Sequence, residues 1–379
     1  MNYLISRLTA CLLCLALPMG CAARSAAPAD SPVSAASAVS EAENSGLHMT
    51  QAASVRKTTY DGQADFVDFL RMAQPAYLIP GLNEALVPQG MDLCEANGLL
   101  YLSGYYPSGN LSSSLVAVDA ESGGFVAEYY LDEADGSPFT SHVGGVAVTD
   151  TTLYISAAAD ADGGYRIAAI PLSELPVEGS HRVTVRHYIP VPVSPSFLSY
   201  AQGYLWVGNF YHPGADYGLS TGVNYTTPNA DGDAYGCYIL GYDLSGGEDA
   251  RLAVPEGGRY PLPDVVLAAP NKIQGMVLAA DGTVTLSQSY GRKNNSALLR
   301  YRLDLSGTPD TAVVIAGQEV PTYLLDSARA CGTVTAMPMT EALADAPDGS
   351  VLVLFESGAS HYSNGSHRTD HVWRMRWED

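Results

Sequence analysis

One short pattern returns five times along this chain, and nothing else in it limits the fold so tightly. Each copy opens on a small or polar residue, enters an apolar strand, turns tightly, and continues as an alternating strand. The openings are Pro88-Gln89-Gly90-Met91, Ser141-His142-Val143-Gly144-Gly145, Pro195-Ser196-Phe197-Leu198, Ile273-Gln274-Gly275-Met276 and Met339-Thr340-Glu341-Ala342. A unit of about 50 residues that cannot bury its own apolar face must stack on its neighbours, and such repeats predict a β-propeller of four-stranded blades.

The spacing inside the copies agrees. Gln89 lies 30 residues before Asp119 (VAVDAESGG), and Gln274 lies 30 before Asp304 (RYRLDLSG). The same step from His142 reaches Leu172, where the aspartate is lost. From Ser196 to Asp243 the step is 47, and from Glu341 to Glu378 it is 37, so copies 3 and 5 carry insertions. In copy 1 the expected strands are QGMDL, GLLYLSGYY, SLVAVD and FVAEYYL, and the last two alternate visibly. Turn residues sit between them, as Ala96-Asn97-Gly98 and Glu121-Ser122-Gly123-Gly124. Copy 4 repeats the first turn as Ala280-Asp281-Gly282, and copy 5 as Pro347-Asp348-Gly349.

The fold class expected is all-β, a propeller of five blades, with six as the alternative reading of the long stretch 310–337. The fifth copy supplies three strands only. An open sheet edge invites unwanted pairing, so an amino-terminal strand, 77–82 (YLIPGL), is expected to complete the last blade. Residues 61–73 are expected to form a short helix or turn on the outside.

Composition fits this plan. Charged residues are 16% of the chain, against 37 Gly and 23 Pro, a balance suited to short strands and tight turns. The net charge is −21. An acidic body repels phosphate backbones, which argues against nucleic acid as a partner.

The amino terminus reads as an address. Arg7 precedes an apolar run, Leu8 to Met19, that is too short to span a bilayer. It ends in Leu17-Pro18-Met19-Gly20-Cys21 and resembles a bacterial lipoprotein signal, which implies cleavage before Cys21 and lipidation of that residue. Residues 22–55, rich in Ala, Ser and Pro, read as a disordered tether, which leaves 56–379 as the propeller domain. The expectation is an exported monomer that touches the membrane only through its lipid anchor. Of the remaining cysteines, Cys94 is expected to be a buried thiol, while Cys237 and Cys331 are candidates for a disulfide.

In a propeller the starts of the inner strands and the ends of the second strands share one face with the longest loops. The residues expected at that channel mouth are Gln89, His142, Ser196, Gln274 and Glu341, joined by Tyr105, Ser156, Asn209, Gln288 and Glu356. The loop 211–236 and the loop 357–370 hold most of the length variation, and His212 and Tyr290 fall on the same face. His361, His367 and His371 lie on or beside it. Insertions gathered on one face usually mark the binding face. Asp160-Ala161-Asp162-Gly163 reads as a turn rather than a cation loop.

The repeat pattern over 77–379 is loosely similar to that of the gluconolactonase and paraoxonase type of secreted propeller. That resemblance implies a central Ca²⁺ held by Glu and Asn side chains, here Glu356 and Asn209, with Glu341 and Gln288 beside them. Those families have six blades. Five-bladed arabinanase-like glycosidases place their acids on different blades, whereas Glu341 and Glu356 both fall in copy 5. Three functions therefore stay open. The first is binding of a small polar ligand, glycan or protein at the mouth. The second is a Ca²⁺-dependent lactonase or esterase there, and the third a structural part of an envelope assembly.

Overall fold

The computed structural model describes residues 48–55, 64–213 and 226–378. Residues 1–47, which contain the signal-like segment, Cys21 and most of the tether, lie outside the described residues, as does 214–225 of the long loop.

The chain forms a five-bladed β-propeller. The closing strand β1 (Ala73–Leu78) is followed by blade 1, formed by β2 (Val87–Cys94), β3 (Leu99–Tyr105), β4 (Ser114–Asp119) and β5 (Phe125–Asp132) from the axis outward. Blade 2 contains β6 (Val146–Val148), β7 (Thr152–Ser156) and β8 (Arg166–Pro171), then β9 (Gly179–Thr184) leaves and β10 (His187–Pro190) returns as the outer strand. Blade 3 begins with β11 (Phe197–Ala201) and β12 (Tyr204–Gly208). A small hairpin, β13 (Thr227–Pro228) and β14 (Ala234–Tyr235), precedes its outer pair β15 (Cys237–Asp243) and β16 (Val265–Ala269). Blade 4 is β17 (Ile273–Leu278), β18 (Thr283–Gln288) and β19 (Ser296–Arg302). The chain then makes a hairpin, β20 (Thr311–Ile315) and β21 (Gln318–Leu324), before β22 (Ala330–Ala336) closes that blade. Blade 5 is β23 (Thr340–Asp345), β24 (Val351–Phe355) and β25 (His371–Met375).

The recurring glycines of the openings have a packing cause. A Cβ on Gly90 of blade 1 would lie 2.8 Å from the backbone nitrogen of Val146 in blade 2. One on Gly145 would lie 2.3 Å from the nitrogen of Leu198 in blade 3, and one on Gly275 would lie 2.9 Å from Cα of Ala342 in blade 5. Real Cβ atoms do not approach so closely, so the inner strands meet around the axis only where a side chain is missing. Aliphatic and aromatic residues fill the space between blades, with Trp206, Tyr129, Tyr154 and Phe197 among the largest fully buried side chains.

The ring closes as the sequence leads one to expect, with a shifted boundary. β1 pairs antiparallel with β25, from Ala73 opposite Met375 to Leu78 opposite His371, so the closing strand is 73–78 rather than 77–82. It stops there because Pro80 offers no N–H and Gly81 takes a left-handed turn (φ 81°). The helix expected nearby is Val67–Met72, preceded by the short turn Ala64–Phe66, and together they bury Phe66 and Phe69 against blades 4 and 5.

The stretch 310–337 is not a sixth blade. Its hairpin pairs β21 parallel to β16 on the outside of blade 3, and its last segment is the outer strand of blade 4. Blade 2 uses the same device on a smaller scale, lending β9 to the outside of blade 1 in a parallel pairing with β5.

Two further expectations need correction. Residues 48–55, read as tether, are packed on the propeller. Met49 is buried and its N–H donates to Glu128 (2.8 Å), while the N–H groups of Ser54 and Val55 donate to Asp370 (2.8 and 2.9 Å). Cys237 and Cys331 are both free. Cys237 is enclosed in blade 3 with its thiol on the Asn209 carbonyl (3.0 Å), and Cys331 is exposed on the outer strand of blade 4. Cys94 is a buried free thiol, as the sequence indicated.

Candidate functional site

The geometry at the axis begins with backbone. The Ser103 hydroxyl donates to the Val143 carbonyl (2.6 Å) and accepts from the Gly90 N–H (3.0 Å), tying blade 1 to the opening of blade 2. The Ser287 hydroxyl donates to the Glu341 carbonyl (2.5 Å), tying blade 4 to the opening of blade 5. Each bond fixes the residue, or the neighbour of the residue, that turns its side chain to the channel.

That arrangement brings Gln89, His142, Ser196, Gln274 and Glu341, one from each blade, to a single cavity of about 590 Å³. Glu356, Ser156 and Tyr290 line it as well, with Ser141, Arg292 and Tyr362. Tyr105 sits just behind, its ring tilted against His142 at 4.5 Å between centroids.

The floor is a carboxyl pair. Glu341 is 4% exposed, and burial holds its pKa well above the usual range, helped by the charge of Glu356 and by the hydrogen bond between the two carboxyls. Burial also pushes Glu356 up to about 7, opposed by hydrogen bonds from Tyr362, Gln89 and Glu341 and by the charge of Arg292. Gln89 Nε2 donates to Glu356 Oε2 at 2.7 Å, and Gln274 Nε2 approaches Glu341 Oε1 at 3.4 Å. Glu341 therefore keeps the proton and donates it towards Glu356, which carries what charge the pair has. Two buried like charges in contact cannot both ionise cheaply, so the pair shares one proton at neutral pH. Tyr362 links the pair to Tyr105, whose hydroxyls are 3.3 Å apart. His142 keeps its edge open to the cavity, but the recess desolvates it and lowers its pKa, so it is a neutral imidazole at pH 7.

Other expected residues go elsewhere. Asn209 is buried inside blade 3, where its amide donates to the Gly236 carbonyl (3.1 Å) and its oxygen accepts from the Tyr238 N–H (2.7 Å). It holds the base of the long loop, and both ends of its side chain are committed there, so the Ca²⁺ set with Glu356 is incomplete. Among the described residues no group of three His, Cys, Asp or Glu is gathered in a way that would hold a metal ion. Gln288 donates to the Asn271 carbonyl (2.8 Å) and faces a second cavity of about 770 Å³, which His212 also lines. His361 packs on Tyr362, His367 on Phe66, and His371 pairs with Asp370. Asp160 takes the N–H groups of Asp162 and Gly164, as a turn does.

Arg292 and Tyr362 escaped the sequence reading. Both lie in irregular loops between second and third strands, where no period marks direction. The signal available for Arg292 was its place two residues after Tyr290 in a cationic pair, Arg292-Lys293.

No protein-family model matches the chain, and no curated protein is similar to it in sequence. Solved structures resemble it in outline. A glucose dehydrogenase matches at 11% identity and TM-score 0.41, over 80% of this chain and 100% of that one. The PQQ-bound form of aldose sugar dehydrogenase from Streptomyces coelicolor matches at 13% and 0.44, over 80% and 96%. An alpha-L-arabinofuranosidase from Lactobacillus brevis matches at 14% and 0.42, over 80% and 94%. Likeness at this level assigns neither ligand nor chemistry to this chain.

Proposed function

We propose that this propeller binds a small, hydroxyl-rich molecule at the channel mouth. One observation carries the reading: every blade delivers a polar side chain to one cavity whose floor is a carboxyl pair sharing a proton. Such a floor offers a strong acceptor at Glu356 and donors at Gln89, Tyr362 and Glu341. Tyr165, Phe210 and Tyr290 add apolar ring faces to the walls. Converging donors and acceptors with aromatic faces suit a sugar or a sugar-like polyol. Titration calorimetry against a panel of neutral mono- and disaccharides tests this. Binding that weakens at least tenfold in Glu356→Gln supports it, and no heat with any member of the panel ends it.

A second reading rests on Glu356 alone. A carboxyl titrating at about 7 is matched to general acid–base work near neutral pH. The reaction would be hydrolysis of a lactone or ester. Glycosidic cleavage fits poorly, because it needs carboxyls roughly 5–10 Å apart across the bond, and here the two carboxyls touch. A rate on small lactones with an inflection near pH 7, abolished in Glu356→Gln, would favour this reading over simple binding.

The reading includes export and anchoring through Cys21 of a monomer that does not bind nucleic acid. Its supports are the signal-like residues 1–21, the Ala/Ser/Pro-rich stretch after them and the net charge of −21. Metabolic labelling with a radioactive fatty acid, present in the native chain and lost in Cys21→Ser, is the check.

A further inference from the structure

Positive charge is scarce in this molecule and unevenly used. The chain has 19 Lys and Arg against 40 Asp and Glu, and only three of the cations are lysines, at 57, 272 and 293. Eight arginines (71, 166, 182, 186, 251, 329, 374 and 376) form ion pairs with carboxylates. Among the described residues Arg259, Arg300, Arg302 and Arg368 form no such pair, and neither do three cations in loops of blade 4, Lys272, Arg292 and Lys293. Two of these three, Lys272 and Arg292, line the cavities.

Tyr290 organises this group. It is 41% exposed and, with Ser289, lines both cavities, so it stands between them. Lys272 Nζ lies 5.6 Å from the ring centre, and His212 meets the same ring edge-on at 4.3 Å. Two residues on, Arg292 turns back over Tyr362 at 4.8 Å, with one N–H on Asn364, and lines the first cavity. Backbone holds the two cations in register, since the Ser289 N–H donates to the Lys272 carbonyl (3.0 Å) and the Lys272 N–H to that of Tyr211 (2.8 Å). Lys272 also adopts a left-handed backbone (φ 69°), a conformation that costs a non-glycine residue about 1 kcal/mol. Among the described residues the second cavity is lined by one acid, Asp233.

From this we infer that the ligand carries an anionic group, seated beside Tyr290 between Lys272 and Arg292, while its hydroxyls reach the Glu341–Glu356 floor. The inference deepens the sugar-binding reading and names its class: an acidic sugar, either a uronate or a sugar phosphate. A neutral ligand would make no use of the charge of Lys272 at the rim, nor of that of Arg292 beyond its pull on Glu356. A purely anionic ligand would be repelled by the floor. Only a molecule with both ends satisfies the whole mouth, and the cations would also speed its capture by an otherwise acidic protein.

Calorimetry on the full chain decides this, with glucuronate, galacturonate, glucose 6-phosphate, inorganic phosphate and glucose as separate probes. The expected result is that at least one acidic sugar binds tenfold or more tighter than glucose. That advantage should shrink as NaCl rises from 20 to 300 mM, values chosen to shorten the screening length to well under about 10 Å. Lys272→Ala and Arg292→Gln should each remove most of it, with Tm unchanged. Uronate against phosphate tells which anion the mouth prefers. If glucose and the acidic sugars bind alike, or neither substitution weakens the anions, the inference is overturned and the sugar-binding reading stands. If inorganic phosphate binds through Lys272 and Arg292 but no sugar adds affinity, the anion seat stands and the sugar reading fails. If no anion binds at all, the inference is wrong.

Discussion

Each end of the channel holds a carboxyl that desolvation shifts to about 7, Asp92 at one and Glu356 at the other, in opposite surroundings. At the loop-poor end Asp92 is pushed up to about 7 by burial, and Asp345 beside it to about 6. Asp92 is answered by the frame: it accepts the N–H groups of Leu93 (2.9 Å) and Val148 (2.8 Å), and a third from Tyr200, and so staples blades 1, 2 and 3. At the other end Glu356 also titrates at about 7, but its partners are side chains, and a cavity opens above it. A carboxylate held by fixed amides is architecture. One held by a glutamine, a tyrosine and a shared proton has partners that a ligand can exchange. The pKa alone does not separate the two roles; the kind of donor does.

The largest effect of any single substitution should come from breaking the staple. Asp92→Ala strips the acceptor from buried N–H groups in three blades and should cost about 3 kcal/mol of stability. Urea unfolding measures it, and a loss below about 0.5 kcal/mol would erase the contrast between the ends.

Next comes pH. Both Asp92 and Glu356 have folded pKa values above their unfolded ones, so folding favours their protonated forms. The stability these two groups contribute is therefore fully present below about pH 4 and is lost as pH rises from there through about 7, by roughly 3–4 kcal/mol for each. Carboxylates held below their usual range, such as Asp348 and Asp370, act in the opposite sense in acid. Joint replacement Glu341→Gln and Glu356→Gln should flatten only part of that slope, because Asp92 keeps its share. A slope unchanged by the double variant would show that the upper pair does not titrate as described.

Binding should respond in the opposite sense. Glu356→Gln should keep the fold and weaken sugar binding by at least tenfold, about 1.4 kcal/mol, whereas any folded Asp92 variant should bind normally. The smallest effect is at the partition: Tyr290→Ala should merge the two cavities and cost about threefold in affinity through the lost ring face. A fall as large as that from Glu356→Gln would move the centre of the site to the rim.

Much of the upper mouth was legible in the sequence. The strand period and the repeat together aim one residue per copy at the axis, and Gln89, His142, Ser196, Gln274 and Glu341 all arrive at one cavity. The glycines beside them recur in the openings, but their cause is contact between blades, which no single repeat can display. Asn209 was misread because it stands where the regular strand gives way to the long loop, and its side chain turns back to hold that loop. Arg292 and Tyr362 sit where the chain has no period to read. The hairpin 311–324 was obscure for a related reason, since a parallel pairing with blade 3 leaves no local mark.

Closure by β1 sets the order of assembly. Ala73 and Met375, which face each other across the seam, are about 300 residues apart in sequence. Pairing over such a span is slow relative to hairpins formed by neighbours. Blades 1 to 4 draw their four basic strands from the chain between Val87 and Ala336, while the sheet bearing Glu341 and Glu356 has to wait for both ends of the ring. The acidic floor is thus a late product of folding, and a nascent propeller has no working mouth until its circle is complete.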